Sequence, residues 1–427
     1  MNRPESKMND SGFFFLLMRE IAMNVTEEFV MPKGFQAAGE HVGLKRKRKD
    51  LALLVSEVKA EFAVALTTNV VKAAPILWNQ KVDSAGGKIK AIVVNSGNAN
   101  SCTGAAGVEH TWRMASKTAN CINAEAGEVL VASTGVIGVP LPIEKVEAGI
   151  ELLAPKLEPT VEAGLNATQA IMTTDQFAKY CHVQFKIGGK TVTMTGIAKG
   201  SGMIHPNMAT MLSFLLTDAN ISKTLLKKAL LASVQTTYNM ISVDGDTSTN
   251  DMVAIMANAE AANDEICEGS TEWEIFVSAI EAVNTFLAKC IARDGEGATK
   301  LLTVTVQGSK NVEEAQKLSK SVVSSNLVKT AMFGQDANWG RIVAALGYGG
   351  VKFDPAKVSV ELASEAGRLA LLLSGEPCSF SEAFALEVMK RKDIEVLIDL
   401  NDGLSKATAW GCDLTYDYVR INGAYRT

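Results

Sequence analysis

A threonine at the junction between a flexible loop and a buried strand is the residue of this sequence best placed for covalent chemistry. Residues 200–209 include glycine, proline and asparagine, which permit tight backbone, and residues 211–216 are apolar on both alternating faces, as in a strand covered on both sides. Thr210 lies between them. A hydroxyl needs an adjacent base to become a good nucleophile, and in one arrangement that base is the threonine's own α-amino group. This arrangement requires cleavage between Ala209 and Thr210, whereas an ordinary strand start would give the same pattern.

A second candidate is a Thr-Gly pair at the end of a predicted strand. Residues 129–133 predict a strand that stops at Thr134 and Gly135. Such an ending can direct a hydroxyl and a backbone N–H at one point, as the oxyanion of acyl transfer requires. A plain strand exit with a glycine turn has the same sequence, so the pattern leaves both interpretations open.

Three further residues could bind a substrate beside such a nucleophile. Lys199 precedes Thr210 by eleven positions and could hold a carboxylate through charge-assisted hydrogen bonds. Glu296, between two glycines, could orient an amine or carry a proton. Thr173 belongs to a Thr-Thr-Asp run that could be a helix stop or the wall of a polar pocket. Solvated loop positions would explain the two charged residues equally well.

Motifs for nucleotides and metal ions are incomplete. The fragment 189–191 ends like a phosphate loop, but Gln184 replaces the upstream glycine. His205 occupies the third glycine position of the dinucleotide fingerprint that Gly200 would begin. The loop 242–251 is dense in carboxylates and hydroxyls but lacks the glutamate that ends a calcium-binding loop. We therefore predict a hydrogen-bonded loop there, no metal, and no catalytic role for His205.

Composition indicates an ordinary globular protein. The sequence is 47% hydrophobic with a net charge of −5, which gives no reason to expect nucleic acid or an anionic membrane as a partner. Seven scattered cysteines without a CxxC pair favour a reducing, cytoplasmic compartment. The apolar run 13–18 is shorter than a signal-peptide core, and no later stretch approaches the ~18 apolar residues of a membrane helix. Residues 1–28 are predicted to form a loosely ordered extension.

The elements that must position these residues alternate between strands and helices. A Gly-Gly turn predicts a hairpin within residues 185–193, and asparagines predict a polar turn at 95–100. The periodicity predicts strands at 51–55, 63–67, 90–94, 129–133, 302–306 and 394–400, and helices at 106–124 and 275–291. The sequence thus predicts an α/β fold.

Several segments resemble the ornithine acetyltransferase (glutamate N-acetyltransferase) family of arginine biosynthesis. The similar segments are 67–75, 95–100, 133–138, 200–211, 293–300 and 336–342, and the resemblance extends from about residue 32 to residue 427. It implies an α/β fold of layered sheets and helices, of the type shared by self-cleaving acetyltransferases and aminopeptidases. It also implies a precursor that splits into an α chain, 29–209, and a β chain, 210–427, with two copies of each in a heterotetramer.

The resemblance also implies a role for each candidate residue. Thr210 would be the nucleophile, released by cleavage after Ala209, and Thr134 and Gly135 would form the oxyanion hole. The residues implied to bind substrate are Thr173, Lys199, Thr210, Glu296, Asn422 and Thr427.

The activity implied is acetyl transfer from N2-acetylornithine to glutamate, by a ping-pong mechanism, through an acetyl ester on Thr210. No cofactor is implied, although acetyl-CoA could serve as a second acetyl donor. Two other functions stay open at this point. One is an aminopeptidase of the related self-cleaving fold, with water as the acceptor. The other is a non-enzymatic small-molecule-binding protein in which Thr210 is only a strand residue.

Overall fold

A computed structural model describes residues 23–205 and 211–424 of the 427-residue chain. Within these residues the strands are β1 (Phe35–Glu40), β2 (Leu51–Leu66), β3 (Ile89–Asn98), β4 (Val129–Val136), β5 (Lys179–Ile187), β6 (Lys190–Lys199), β7 (Leu212–Thr217), β8 (Ile241–Ser242), β9 (Met252–Ala257), β10 (Leu301–Ser309), β11 (Ser359–Ser364), β12 (Gly367–Leu373), β13 (Glu376–Pro377), β14 (Asp393–Asp399) and β15 (Ser405–Cys412). The helices are α1 (Ala74–Ala85), α2 (Gly104–Cys121), α3 (Ile143–Leu153), α4 (Val161–Ile171), α5 (Lys223–Thr236), α6 (Thr271–Arg293), α7 (Val312–Ser324), α8 (Asn326–Phe333), α9 (Trp339–Gly347), α10 (Glu382–Met389) and α11 (Tyr416–Gly423).

The first sheet connects strands from both sides of the undescribed segment 206–210. Its strand order is β4-β3-β2-β9-β7-β6-β5, and β1 pairs with β2. β7 is antiparallel to β6 and parallel to β9, with Leu212 opposite both Lys199 and Met252. Because this register aligns the end of β6 with the starts of β7 and β9, residues just beyond these strand ends lie side by side.

Strand β2 joins two parts of this sheet. The sequence predicts separate strands at 51–55 and 63–67, whereas the structure has a single strand, Leu51–Leu66, whose register shifts between Val55 and Ala60. The first part pairs with β1 and β3, and the second part pairs with β9. Exposed residues 57–59 interrupt the apolar pattern at the bend, which is why local periodicity suggests two strands.

The second sheet follows the order β13-β12-β11-β14-β10-β15-β8. β10 is parallel to β14 and antiparallel to β15, and α7 packs on β10 and β15. The predicted strands at 302–306 and 394–400 correspond to β10 and β14. The layered α/β fold expected from the sequence is therefore confirmed.

Helix α6 lies between the two sheets. It contacts β5 and β6 of the first sheet and β15, β10 and β8 of the second. At Gly196 of β6 an added Cβ would lie 2.7 Å from side-chain atoms of both Leu287 and Val283, so the glycine permits this close helix–sheet approach.

The same helix is also the one in the described ranges that is long and apolar enough to cross a membrane, with a mean hydropathy of 1.6. Half of its apolar window is buried in the protein, as in the core helix of a layered fold.

The hairpin of β5 and β6, with its Gly188-Gly189 turn, is found as the sequence predicts. The predicted polar turn at 95–100 is wrong in part, because residues 95–98 continue β3. The Ser133 hydroxyl donates a 2.6 Å hydrogen bond to the Asn95 side chain. Because these polar side chains are buried and paired with each other, the segment continues as a strand and does not turn.

At the N-terminal side, residues 23–28 belong to the predicted loose extension. Thr26 nevertheless exchanges two backbone hydrogen bonds of 3.0 Å with His182 of β5, and His182 Nδ1 lies 3.0 Å from the Glu28 carbonyl oxygen. The packed part of the chain therefore begins before residue 29.

Candidate active site

A cavity of about 320 Å³ opens where the ends of β4 and β6 meet the starts of β7 and β9. Its walls also include the turn after α6 and the last turn of α11. The predicted site residues that line it are Thr134, Gly135, Thr173, Lys199, Glu296 and Asn422. The three other predicted residues, Ala209, Thr210 and Thr427, lie outside the described residues. Met211, the next residue after Thr210, lines the cavity.

Thr134 and Gly135 lie at the carboxyl end of β4. They pair with Ser96 and Gly97 of β3. Gly135 has φ +133°, and a Cβ at this position would lie 2.3 Å from the carbonyl carbon of Gly97. Only glycine fits both the conformation and the space, so the backbone of Gly135 can border the cavity without a side chain.

The ends of β3 and β4 are held in place by an amide from the 242–251 loop. Asn250 Nδ2 donates to the carbonyl oxygens of Ala99 and Ser133 at 2.6 and 3.0 Å. This loop is the hydrogen-bonded segment that the sequence suggested instead of a calcium site. Its position explains how residues far apart in sequence keep the Thr-Gly pair in a fixed orientation.

Lys199 is the cation of the cavity wall. Its side chain is only 7% exposed, and Nζ donates to Thr134 Oγ1 at 3.4 Å. Burial lowers the pKa of Lys199, while the negative charges of Asp175, Asp251 and Glu296 act in the opposite direction. A buried ammonium beside a hydroxyl is a suitable site for a substrate carboxylate, because the ion pair would form out of water.

A buried ion cluster lies behind Lys199 and Thr173. Lys179 Nζ contacts Asp175 Oδ1 at 2.7 Å and Asp294 Oδ2 at 2.5 Å, and all three side chains are at most 1% exposed. Asp175 also accepts the backbone N–H groups of Thr173 and Gly200, at 2.8 and 2.7 Å. Although burial alone would raise the pKa of Asp175, the charges of Lys179 and Lys199 hold it well below its usual range.

This cluster explains how three separate segments are positioned around one cavity. The Thr-Thr-Asp run marks Thr173 and Asp175 in the sequence, whereas Lys179 and Asp294 lie at a strand start and a helix end. No local pattern marks either one, because an isolated Lys or Asp is usually a surface residue.

Glu296 and Asn422 form another part of the cavity wall. Asn422 Nδ2 donates to Glu296 Oε2 at 2.6 Å, and the Glu296 side chain is only 6% exposed. The carboxylate covers Gly202, where an added Cβ would lie 2.4 Å from the carboxylate carbon. The Glu296 backbone N–H donates to the Ser201 carbonyl oxygen at 2.9 Å. The Gly-Ser-Gly segment therefore supports Glu296 through its backbone.

The chain that leads toward residue 206 is held by Asp244. Its carboxylate accepts the backbone N–H groups of Met203 and Ile204 at 2.6 and 2.8 Å, and the Tyr418 hydroxyl at 3.3 Å. Burial, assisted by the charge of Lys320, lowers the pKa of His205 to about 4, so this imidazole is neutral near pH 7. His205 Nδ1 lies 3.0 Å from Ser242 Oγ.

Asp251 is a cavity residue that the sequence analysis did not assign. It lies immediately before β9 and is 2% exposed, and its Oδ2 has no hydrogen-bond partner in residues 23–205 and 211–424. Only the acidic composition of the 242–251 loop could have drawn attention to it. In the described parts of the chain, no group of three or more His, Cys, Asp or Glu side chains is arranged to hold a metal ion.

Comparison with known proteins places this chain in a family. The ArgJ family model matches residues 36–427. The arginine biosynthesis bifunctional protein ArgJ of Caldanaerobacter subterraneus is 54% identical over 397 residues, which are 93% of this chain and 98% of that protein. Its counterpart in Symbiobacterium thermophilum is 50% identical over 399 residues, again 93% of this chain and 98% of the relative.

Among solved structures, the ArgJ protein of Bacillus halodurans is 46% identical with a TM-score of 0.49, covering 51% of this chain and 100% of the solved chain. The family match and the curated relatives confirm the resemblance inferred from the sequence motifs. The chain therefore belongs to the ArgJ family and is an acetyltransferase.

Proposed function

We propose that the chain transfers the acetyl group of N2-acetylornithine to glutamate, in arginine biosynthesis, through an acetyl ester on Thr210. Cleavage between Ala209 and Thr210 would first separate an α chain from a β chain that begins with the nucleophile. The observation that carries the proposal is the convergence of Thr134, Gly135, Lys199 and Glu296 on a cavity that Met211 also lines.

The chemistry would begin at the new amino terminus. A free α-amino group has a pKa of about 7.7–8.0, so near neutral pH an appreciable fraction can accept the Thr210 hydroxyl proton. The Oγ atom then attacks the acetyl carbonyl carbon, and the carbonyl oxygen becomes an oxyanion. The Thr134 hydroxyl and the backbone of Gly135 would stabilise that charge, and one such donor is worth about 2.7–4 kcal/mol.

The remaining cavity residues suit an amino acid. Lys199 would pair with the α-carboxylate, and Glu296, held by Asn422, would accept an amino group. Thr173 borders the same space, and we propose that Thr427 also contacts the substrate. Ornithine would leave before glutamate enters, since both use the same binding groups, and this order gives ping-pong kinetics.

Acetyl-CoA is proposed as a second donor, because the relatives carry the name bifunctional. The acetyl-enzyme would be the same, so only the leaving group would differ. We further propose an assembly of two α and two β chains in the cytoplasm.

Direct sequencing and trapping would test the nucleophile. Purified protein should yield a second N-terminus, Thr-Met-Leu-Ser, and incubation with acetylornithine alone should add one acetyl group to the β chain. Thr210→Ala should remove both the cleavage and the acetyl group. Thr217→Ala is the matched control, because it deletes a hydroxyl at the other end of β7 that donates to the Thr193 carbonyl oxygen. An active, uncleaved protein, or full turnover by Thr210→Ala, would contradict the proposal.

Steady-state kinetics would separate this function from the aminopeptidase alternative. Parallel double-reciprocal lines with acetylornithine and glutamate are expected for a transferase with an acetyl-enzyme. Hydrolysis of peptide amides with no transfer to glutamate would instead favour the aminopeptidase. Measuring acetylglutamate formation separately from each donor would establish whether acetyl-CoA is used.

A further inference from the structure

Asp251 borders the cavity beside the start of β7, and one of its carboxyl oxygens, Oδ2, is buried without a hydrogen-bond partner among the described residues. Asp251 immediately precedes β9, so it is one of the residues that lie side by side just beyond the ends of β6, β7 and β9. The Met252 N–H donates to the Met211 carbonyl oxygen at 3.0 Å, and the Thr67 N–H donates to the Asp251 carbonyl oxygen at 3.0 Å. These two bonds fix the backbone around Asp251 between the strands of Met211 and Thr67, beside the residue that follows the proposed nucleophile.

The surroundings of Asp251 favour a carboxyl group that holds a proton. Burial raises the pKa of Asp251 well above its ordinary value, against the opposing effects of hydrogen bonds from Ser248 and Thr67, the charge of Lys199 and the Met211 amide. Within the described part of the chain Oδ2 nevertheless has no hydrogen-bond partner, although leaving a buried polar atom unpaired is unfavourable. A ligand that brings an N–H or an amine to this atom would satisfy it.

Lys199 indicates which part of a ligand reaches Oδ2. Lys199 and Asp251 both line the cavity and are close enough for each to affect the other's pKa. An α-amino acid carries its carboxylate and its α-nitrogen on the same carbon atom. When Lys199 holds the carboxylate, the α-nitrogen is thus presented to the two acidic groups near Lys199 in the cavity, Glu296 and Asp251.

We propose that Asp251 binds the substrate α-nitrogen and stores the proton that this nitrogen gains on release and loses on acetylation. This proposal rests on the transfer reaction proposed above and assigns a catalytic residue to it. It gives Asp251 a role in both half-reactions, whereas the base at residue 210 acts on the hydroxyl.

The protons balance over the two steps. In the first, the bond from the acetyl carbon to Thr210 Oγ forms and the bond to nitrogen breaks. The leaving nitrogen takes the hydroxyl proton and then the Asp251 proton, so ornithine departs as an ammonium ion. In the second, the ammonium of glutamate returns one proton to the Asp251 carboxylate. The resulting amine attacks the ester, and its remaining excess proton restores the Thr210 hydroxyl.

The test uses reagents that need no proton at this position. p-Nitrophenyl acetate releases a stable phenolate without protonation, and hydroxylamine is a neutral acceptor. Asp251→Asn should therefore keep the wild-type burst with p-nitrophenyl acetate, and the transfer to hydroxylamine, within about threefold. Acetylation by acetylornithine and transfer to glutamate should each fall by about 10²-fold or more, in the range of general acid–base catalysis.

Two further variants keep the result decisive. Ser248→Ala leaves the Asp251 carboxyl in place and removes one hydrogen bond, so it should show the same split at a smaller size, even where Asp251→Asn fails to fold or to be cleaved. Asp218→Asn is the structural control. That residue is also a buried carboxyl, located at the far end of β7, where it accepts the Thr193 N–H at 2.8 Å. Asp218→Asn should change four rates by the same factor or leave them all unchanged. These are the p-nitrophenyl acetate burst, the transfer to hydroxylamine, the acetylation by acetylornithine and the transfer to glutamate.

The proposal would be overturned if the Asp251 and Ser248 variants lost as much rate with p-nitrophenyl acetate and hydroxylamine as with acetylornithine and glutamate. Such equal losses would mean that Asp251 supports the nucleophile or the folded structure and not the substrate nitrogen. Unchanged rates with acetylornithine and glutamate would overturn it as well. A wild-type enzyme without a burst would instead contradict the acetyl-enzyme on which the proposal rests.

Discussion

Replacing Lys179 by methionine provides a sharp test of how the cavity is held together. The ammonium lies 2.7 Å from one buried carboxylate and 2.5 Å from another, those of Asp175 and Asp294. Methionine has a similar length but no charge, so two carboxylates would remain at most 1% exposed without the cation. The expected result is a large loss of stability and a displaced cavity wall.

The magnitude follows from the burial. Removing one partner of a buried ion pair typically costs about 3–5 kcal/mol, because the other charge stays out of water. We expect Lys179→Met to lose about this much free energy of unfolding. The Michaelis constants for both substrates should rise, since Asp175 also holds the N–H groups of Thr173 and Gly200.

The assay is urea unfolding, with the shift in midpoint read at constant slope. Lys186→Met is the matched control on the same strand, because its ammonium donates to Thr191 Oγ1 at an exposed position and should change stability by less than about 0.5 kcal/mol. Adding Asp175→Asn and Asp294→Asn to Lys179→Met should recover most of the loss, because the unpaired charges are then removed.

The pH dependence provides the refuting result. The lowered pKa of Asp175 contributes stability that is present above the unfolded pKa of about 3.9 and is lost as the pH falls through the folded value. In Lys179→Met, protonation removes the unpaired charges of the two buried carboxylates. The deficit in free energy of unfolding relative to wild type should therefore shrink as the pH falls toward about 4. A deficit below about 1 kcal/mol at pH 7, or one that is independent of pH, would refute the electrostatic explanation.

Three other predictions concern the cavity walls. Asn422→Ala should lower kcat/KM roughly 10- to 150-fold, the equivalent of about 1.5–3 kcal/mol for a hydrogen bond to a charged group, with little effect on melting temperature. Gly202→Ala should abolish most of the turnover while secondary structure by circular dichroism is kept, because its Cβ would lie 2.4 Å from the Glu296 carboxylate carbon. Burial lowers the pKa of Lys199, so KM for acetylornithine should rise with pH at values below the ordinary 10.5, and Lys199→Arg should shift that rise upward.

The strength of the resemblance explains why the site could be predicted in part. The roles of Thr173, Lys199, Glu296 and Asn422 are implied by the family resemblance, and the structure brings all four to one cavity. Local patterns alone were ambiguous at each of these positions. Evolutionary relatedness thus supplied information that propensity and periodicity do not contain.

The sequence by itself determined the features that depend on neighbouring residues. Apolar periodicity predicted the buried face of α6, and the Gly-Gly pair predicted the turn between β5 and β6, because backbone preference and alternation act over a few positions. Local periodicity predicts two strands in place of β2, since residues 57–59 are exposed in the middle of one strand and two of them, Glu57 and Lys59, are charged.

Only the tertiary structure decided which distant groups share a low-dielectric space. Lys199 meets Thr134 across 65 positions, and Asn422 meets Glu296 across 126. The ion cluster around Lys179 has no local signature, and neither has the Asp251 oxygen that lacks a partner among the residues the structure describes. Their energies arise from desolvation and from the charges packed around them, and both quantities exist only after the chain has folded.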